Sequence, residues 1–449
     1  MQKANRNLHI RDEITGTIYR QAEIVANKVV HRQKNPRPFF DEQLDAILTS
    51  PHLGFPIMFL LLGGIFWITL VGAEYPATAL TTMFSWLEGH LSSLFLGFGA
   101  PPWLHGIFVY GLYRGLAWVI AVMLPPMAIF FPLFTLFEDL GYLPRVAFNL
   151  DRFFKQAGAH GKQALTMCMG FGCNAAGVIA CRIIDSPREK LLAILTNNFV
   201  PCNGRFPLMI TLSTIFWGEM VTSHSNSLIA AGIIVLMVLF GIAVTLTMSW
   251  LLSHTILKGI PSTFTLELPP YRPPQVGKIL IRSLLDRTLF VLTRALIVAA
   301  PAGAITWTLA NVTCGDMAIL AHVANWLDPF GHALGMDGMI ILAFILGLPA
   351  NEIVLPIALM GYLAEGTMLE LASLQALGAV LRANDWNWLT AVNVMLFSLL
   401  HYPCATTLLT IFRETGSKKW TLISALLPTG IAIIACFTVT RIMQILQLV

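Results

Sequence analysis

What constrains this chain most is how often it stays apolar for the thickness of a membrane. Residues 53–72, 107–137, 190–217, 227–251, 291–312, 389–412 and 420–446 each reach roughly the 20 residues that cross a bilayer's hydrocarbon as a helix. Lipid offers no partner to backbone N–H and C=O groups, so apolar runs of this length satisfy them internally, as helices. With 56% hydrophobic residues, 12% charged residues and a mean hydropathy of +0.71, the chain carries about half the charge of a soluble domain. A disordered or disulfide-stapled secreted protein is excluded, the seven cysteines being too sparse for a disulfide framework. The net charge of +4 is scattered over many loops, which argues against nucleic acid as a partner. The expected fold is all-α, a polytopic membrane protein with about seven full transmembrane helices plus two broken or re-entrant helices in an inverted repeat.

The two broken helices come from apolar runs that are interrupted, 164–181 and 339–363. Gly170-Phe171-Gly172-Cys173-Asn174 interrupts the first and Gly347-Leu348-Pro349-Ala350-Asn351-Glu352 the second. Backbone that leaves a helix at membrane depth has to be buried in protein or line a wet cavity, so these interruptions mark the expected site. Lysine and arginine set the orientation. Segments 73–106, 218–226 and 313–338 have neither and are expected outside, whereas 138–163, 182–190, 252–290 and 413–419 are basic and expected inside. Threaded through those sides, run 164–181 has both ends inside and run 339–363 both ends outside. The halves are then one motif turned upside down, with Pro201-Cys202 and Pro403-Cys404 in corresponding spans. Inverted repeats with discontinuous helices meeting near the midplane are a transporter architecture.

The expected organisation is a cytoplasmic amphipathic N-terminal arm (1–50), a first transmembrane half (51–251), a cytoplasmic linker (252–290) and a second transmembrane half (291–449). In the arm, which has no apolar signal-type run, Ile14, Ile18, Ala22, Val25 and Val29 fall at helical spacing, and Asn35-Pro36-Arg37-Pro38 is expected to end that helix. The side of 364–388 follows from the symmetry alone, because Glu365, Glu370, Arg382 and Asp385 give no charge bias.

The polar residues of the broken and paired helices are Cys173, Asn174, Cys202, Asn203, Asn351, Glu352, His401 and Cys404. Sulfur, imidazole and carboxylate together suit Fe(II), Mn(II), Co(II) or Zn(II), whereas Mg and Ca prefer all-oxygen shells. The expected metal ligands are Cys173, Cys202, Cys404, Glu352, Asn174, Asn351 and His401. Glu352 weighs most, because burying an unpaired ionisable group in a membrane is costly. His401 also reads as an interhelical hydrogen bonder, and Cys168, Cys181 and Cys436 as small apolar fillers. Met167 and Met169 read either as thioether ligands or as packing. Arg205 is expected either to pair with a carboxylate such as Glu352 or to snorkel inward. No stretch matches G-x-x-x-x-G-K-[ST], H-E-x-x-H, C-x-x-C or a nucleophile elbow, so the chain is expected to be a transporter and not an enzyme, with no permanently bound cofactor.

Several blocks carry a resemblance, in order, over residues 10–446: Phe137-Glu-Asp-Leu-Gly-Tyr-Leu-Pro-Arg-Val-Ala-Phe148, Met169-Gly-Phe-Gly-Cys-Asn174, Pro201-Cys-Asn-Gly-Arg-Phe-Pro207, Leu346-Gly-Leu-Pro-Ala-Asn-Glu352 and Tyr402-Pro-Cys-Ala-Thr406. They resemble the Gate regions of the ferrous iron transport protein B family. That resemblance implies a multi-pass importer of Fe(II), its transported substrate, in a bacterial inner (plasma) membrane with the N-terminus cytoplasmic. It implies that Cys173 is the cysteine of the first Gate motif, Cys202 and Cys404 those of the Pro-Cys motifs, and Glu352 the carboxylate of the second Gate. Where the family usually has Asn-Val-Pro this chain has Asn174-Ala175-Ala176, and where it has Lys-Glu the chain has Asn351-Glu352.

The family also begins with a G-protein domain, and here a short helical segment precedes the first span, so either a separate GTPase subunit acts in trans or transport proceeds without one. The expected partners are the lipid bilayer, a divalent metal ion and that GTPase subunit, with homo-oligomerisation left open. Two other classes stand beside this reading. One is a carrier of a small organic solute such as a nucleoside, using the same amides with the cysteines irrelevant; the other is a nontransporting membrane scaffold subunit.

Overall fold

A computed structural model describes residues 2–29, 37–50, 52–217, 226–259, 271, 275–364, 366–367 and 374–447. Over these residues the chain is all-α apart from a two-residue hairpin, Thr313–Cys314 against Met317–Ala318, turned at Gly315 with φ +72°. Among the described residues six helices are long and apolar enough to cross a membrane. A seventh span results if Ile319–Ala333 and Gly338–Leu346, bent by 109°, are one broken span.

The arm forms two helices, α1 (Gln2–Val29) and α2 (Arg37–Leu48). The expected terminator at Asn35-Pro36 lies outside the described residues, while Arg37 and Pro38 open α2, where a proline without an N–H is tolerated. Helix α3 (Gly54–Gly97) does not stop at residue 72. Its 44 residues span about 66 Å, roughly twice the hydrocarbon thickness, so the expected outer segment is largely a continuation of the helix. The chain then turns back through Pro102–His105 and a π-helical stretch, Gly106–Tyr113, into α4 (Arg114–Asp139). Arg114 pairs with Glu88 across this hairpin.

The rest of the first half is α5 (Tyr142–Gln156), α6 (Gln163–Gly172), α7 (Asn174–Ala180), α8 (Pro187–Thr196), α9 (Phe206–Trp217) and α10 (Asn226–His254). The second half comprises α11 (Phe290–Asn311), α12 (Ile319–Ala333), α13 (Gly338–Leu346), α14 (Val354–Tyr362), α15 (Leu374–Ala383), α16 (Trp388–Leu400), α17 (Ala405–Thr415) and α18 (Lys418–Ile445). A π-helical stretch, Ser283–Leu289, leads into α11 as Gly106–Tyr113 leads into α4, so the repeat extends to a backbone irregularity. The two leading helices cross on small residues. A Cβ on Gly303 would lie 2.4 Å from the Gly111 carbonyl oxygen, and one on Gly106 would meet the Trp307 ring at 1.9 Å. Such close backbone approach is how helices gain packing energy where lipid removes the hydrophobic drive between them.

Both anticipated breaks are present. Two runs read as continuous spans, 190–217 and 389–412, prove to be unwound as well. After α8 a 3-10 turn, Asn197–Phe199, leads to non-helical backbone through Arg205, and after α16 residues 401–404 are non-helical. Pro201 and Pro403 sit in these unwound stretches, where neither could donate an intrahelical hydrogen bond. The largest buried apolar cluster, with Leu212, Phe344, Ile357, Met395 and Leu399, holds the broken pieces against one another.

Candidate functional site

The two expected breaks have the same backbone. Cys173, between α6 and α7, is extended at φ −156°, ψ 126°; Ala350, before the 3-10 turn Asn351–Ile353, is extended at φ −152°, ψ 125°. An asparagine follows each, Asn174 and Asn351. The first break closes tightly, because a Cβ on Gly172 would lie 2.1 Å from the Phe130 ring. Each Pro-Cys segment bonds the broken helix of its own half: the Asn203 amide donates to the Gly172 carbonyl at 3.4 Å, and the Ala405 amide to the Leu348 carbonyl at 2.8 Å.

These contacts gather four of the predicted residues. The thiols of Cys173, Cys202 and Cys404 lie within electrostatic range of one another, and Glu352 is within range of Cys202 and Cys404. The Glu352 carboxylate rests on Gly204, where a Cβ would come 2.2 Å from Oε1. Cys404 Sγ also contacts Thr407 Oγ1 at 3.3 Å. Among the described residues no group of three His, Cys, Asp or Glu side chains is drawn closely enough together to hold a metal ion alone. Oxygen donors of other kinds are at hand. Asn174, Asn197, Asn203 and Asn351 are all buried, and the Oδ1 of each accepts no hydrogen bond among the described residues. Their Nδ2 bonds orient two of them: Asn174 donates to Asn198 Oδ1 at 3.4 Å and Asn197 to the Asn174 carbonyl at 3.2 Å. A buried acceptor left without a donor costs about 1–3 kcal/mol, which a cation or a polar solute would recover.

His401 is placed by its own helix. Its Nδ1 is 2.9 Å from both the Phe397 and the Ser398 carbonyl oxygens, so that nitrogen carries the proton and Nε2 keeps the lone pair. Its ring stacks on Phe397 and tilts against Phe344. The ring is thus satisfied by a hydrogen bond, but within its own helix and not between helices as expected, because the carbonyls at the end of α16 lie within reach of Nδ1.

Sequence reasoning passed over Asn197 and Asn198. The Asn197 amide lies between Gly170 and Gly177, where added Cβ atoms would come 2.8 Å from its Oδ1 and 2.6 Å from its Nδ2. Asn198 donates to the His401 carbonyl at 2.7 Å and so joins the two repeats. The available signal was two successive amides in an otherwise apolar run. Arg205 fits neither expectation held for it. It neither pairs with Glu352 nor snorkels but is fully buried, donating to the carbonyls of Asn198 and Leu399 at 2.8 Å, His401 at 3.3 Å and Tyr402 at 3.4 Å. The reason is proximity: unwound backbone supplies carbonyl oxygens freed from helical bonding right beside the guanidinium.

Polar ties connect the breaks to the polar surface. Arg145 donates through Nε to Asp45 Oδ1 at 2.9 Å and through Nη2 to Oδ2 at 3.1 Å. The Tyr271 hydroxyl donates to Asp45 Oδ1 at 2.7 Å, and the Arg145 guanidinium lies 4.1 Å from the Tyr271 ring centroid. Burial pushes the Asp45 carboxyl up, but the hydrogen bonds from Arg145 and Tyr271 and the Arg145 charge outweigh it and hold the group below its ordinary value. This links the arm and residue 271 to α5. At the end of α7, Arg182 Nε donates to Glu414 Oε2 of α17 at 2.9 Å, another bond between the repeats.

A family model described as Gate, nucleoside recognition, matches residues 120–216 and 276–418, and one described as ferrous iron transport protein B C terminus matches residues 234–286. The Fe(2+) transporter FeoB of Staphylococcus aureus (strain MSSA476) is 28% identical over 424 residues, covering 92% of this chain and 61% of its own length. FeoB of Methanocaldococcus jannaschii is 26% identical over 419 residues, covering 90% of this chain and 59% of its own length. An Fe(2+) transport protein A/FeoB fusion protein of Porphyromonas gingivalis is 25% identical over 448 residues, covering 89% and 51%. The chain thus spans between 51% and 61% of the length of these relatives. No solved structure matches it.

Proposed function

The chain belongs to the ferrous iron transport protein B family, and from that premise we propose that it carries Fe(II) across a membrane through the meeting point of its broken helices. One observation supports the reading: three thiols lie within electrostatic range of one another and the Glu352 carboxylate within range of two of them, beside three unwound segments whose asparagines present amide oxygens with no hydrogen-bond partner among the described residues. Thiolate and oxygen donors together suit a borderline metal such as Fe(II). Cys173, Cys202, Cys404, Glu352, Asn174 and Asn351 are the proposed ligands, with the lone pair of His401 Nε2 within the same group of segments. A partial shell is what transport requires, since a closed one would hold the ion instead of passing it. The ion enters on the side of Asp328 and Asp337 and leaves on the side of Arg182 and Glu414, the basic and cytoplasmic side on the charge rule. A GTPase acting in trans would reach the site through Asp45, Arg145 and α5, which packs on α6.

The test is uptake of Fe(II), Mn(II), Co(II) and Zn(II) by proteoliposomes of the wild type, Glu352→Gln and the triple variant Cys173→Ser, Cys202→Ser, Cys404→Ser. Fe(II) uptake that both variants lose supports the assignment. Full activity of the triple variant moves it toward an organic solute such as a nucleoside, the class that the Gate description names. Absence of flux for every metal and nucleoside leaves the scaffold reading.

A further inference from the structure

The two cross-spans end their first segments at the same place. In the first half α8 and its 3-10 turn stop at Phe199; in the second, α16 stops at Leu400. A helix C-terminus carries the negative pole of the helix dipole and up to four carbonyls without intrahelical partners. Both ends point their free oxygens at one guanidinium. Arg205 Nη1 donates to the Asn198 and Leu399 carbonyls, and Nη2 to the His401 and Tyr402 carbonyls and to Asn198 Oδ1 at 3.3 Å. A single positive charge, fully buried, is thus held through both Nη atoms by oxygens drawn from both repeats, while its Nε makes no hydrogen bond among the described residues.

In carriers with inverted repeats, unwound carbonyls and half-helix C-terminal ends are the groups that hold a free coupling cation. Here those oxygens are already occupied by a cation that is covalently part of the chain. We propose that Arg205 is a tethered counter-cation standing where a coupling Na+ or K+ would bind, so that the two repeats assemble, and the carrier works, without either ion. Its role is positioning: Arg205 does not touch the transported ion but fixes the unwound segments that carry Cys202, His401 and Cys404. Its charge is also felt by Cys202 and Cys404, so a divalent ion at the thiols meets a standing repulsion that favours its release.

The experiment compares the full-length wild type, Arg205→Ala and Arg205→Lys in lipid nanodiscs. Thermal unfolding is followed in choline chloride, NaCl, KCl and millimolar guanidinium chloride at constant ionic strength. The wild-type midpoint is expected to be the same in all four. Arg205→Ala is expected to unfold lower in choline and to be raised, saturably, by guanidinium or by Na+, because removing the side chain opens a site lined with oxygen. Wild-type Fe(II) uptake should be unchanged when Na+ and K+ are replaced by choline on both faces. A fall on the order of tenfold in that exchange overturns the proposal. So does a folded Arg205→Ala equally stable in every salt, or a Na+ requirement in Arg205→Lys, whose ammonium keeps the charge but loses the planar fork. Should Arg205→Ala fail to fold, the wild-type and Arg205→Lys measurements decide the matter.

The uptake arm rests on the carrier reading and the unfolding arm does not. Absence of flux for every metal would sink that reading, while the cation dependence of Arg205→Ala would still test this one.

Discussion

The break at Cys173 and the break at Ala350 share their dihedral angles to within a few degrees, yet they carry opposite chemistry. The first presents a thiol, closes on the Phe130 ring and follows α5, whose Arg145 is tied to Asp45 and Tyr271. The second presents a methyl where the thiol was, then Glu352, and follows α12, whose side is acidic. There Asp328 Oδ1 accepts from the Gly338 amide at 2.8 Å, and Asp337 Oδ1 caps α13 by accepting from the Ile340 amide at 2.6 Å. Tyr362 then donates to Asp337 Oδ2 at 2.5 Å and accepts from Trp386 Nε1 at 2.9 Å. A duplicated backbone therefore decides where donors sit, and divergence of the side chains decides what they are. At the breaks themselves one repeat presents a thiol and the other a carboxylate, while the Pro-Cys segments add a cysteine in each half, Cys202 and Cys404.

That contrast breaks if the two sides prove interchangeable. Glu352→Gln should lower metal uptake on the order of 100-fold, about 2.7 kcal/mol, and Cys173→Ser only on the order of tenfold, because three thiols share the soft part and one carboxylate carries the charge. Equal losses in initial uptake rate would show that the two breaks are not specialised. Gly204→Ala sharpens the point. The added methyl would sit 2.2 Å from Glu352 Oε1, the far end of a flexible side chain, so uptake should fall nearly as far as for Glu352→Gln while the unfolding midpoint hardly moves. Gly172→Ala should act on the fold instead. Its methyl meets a packed ring, and overpacking of this kind costs about 1–3 kcal/mol. Gly347→Ala should cost stability in the same way, since its methyl would meet Cγ2 of the β-branched Val354 at 2.5 Å and the Ala343 carbonyl oxygen at 2.9 Å; thermal unfolding of both variants measures the two costs.

Acid should loosen the first half specifically. The Asp45 carboxyl is held below its ordinary value in the folded protein, so its contribution is complete above an unfolded-state pKa of about 3.9 and is lost as pH falls through the folded value. Tyr271→Phe, which removes one hydrogen bond to Asp45, should cost about 1 kcal/mol at neutral pH and flatten the acid limb of the unfolding curve. An unchanged limb would show that the tie does not stabilise α5. The smallest effect is expected for Arg182→Ala. Arg182 is 66% exposed in its pair with Glu414, so the loss should be about 0–1 kcal/mol and vanish at high salt.

Much of this architecture was legible in one dimension. Run lengths, the basic and acidic loops and the glycine-asparagine interruptions led to the spans, the two breaks and the repeat, because lipid forces each backbone segment to satisfy its own hydrogen bonds or to be sheltered. The electrostatic proximity of Cys173, Cys202 and Cys404, and of Glu352 to Cys202 and Cys404, follows from pairing those interruptions. Other features could not be read this way. The extension of α3 beyond residue 72 depends on a partner helix, and the unwinding inside 190–217 depends on oxygens and donors that reach it from the other half. Asn198 bonds a carbonyl 203 positions away, and the Asn197 amide fits only because Gly170 and Gly177 leave room on both sides. The partner of Arg205 is the clearest case. Hydropathy could establish that a charge lay inside the apolar run, but the choice between a carboxylate and a ring of carbonyls belonged to the folded chain, since a buried cation takes whichever oxygens the packing brings within hydrogen-bond reach.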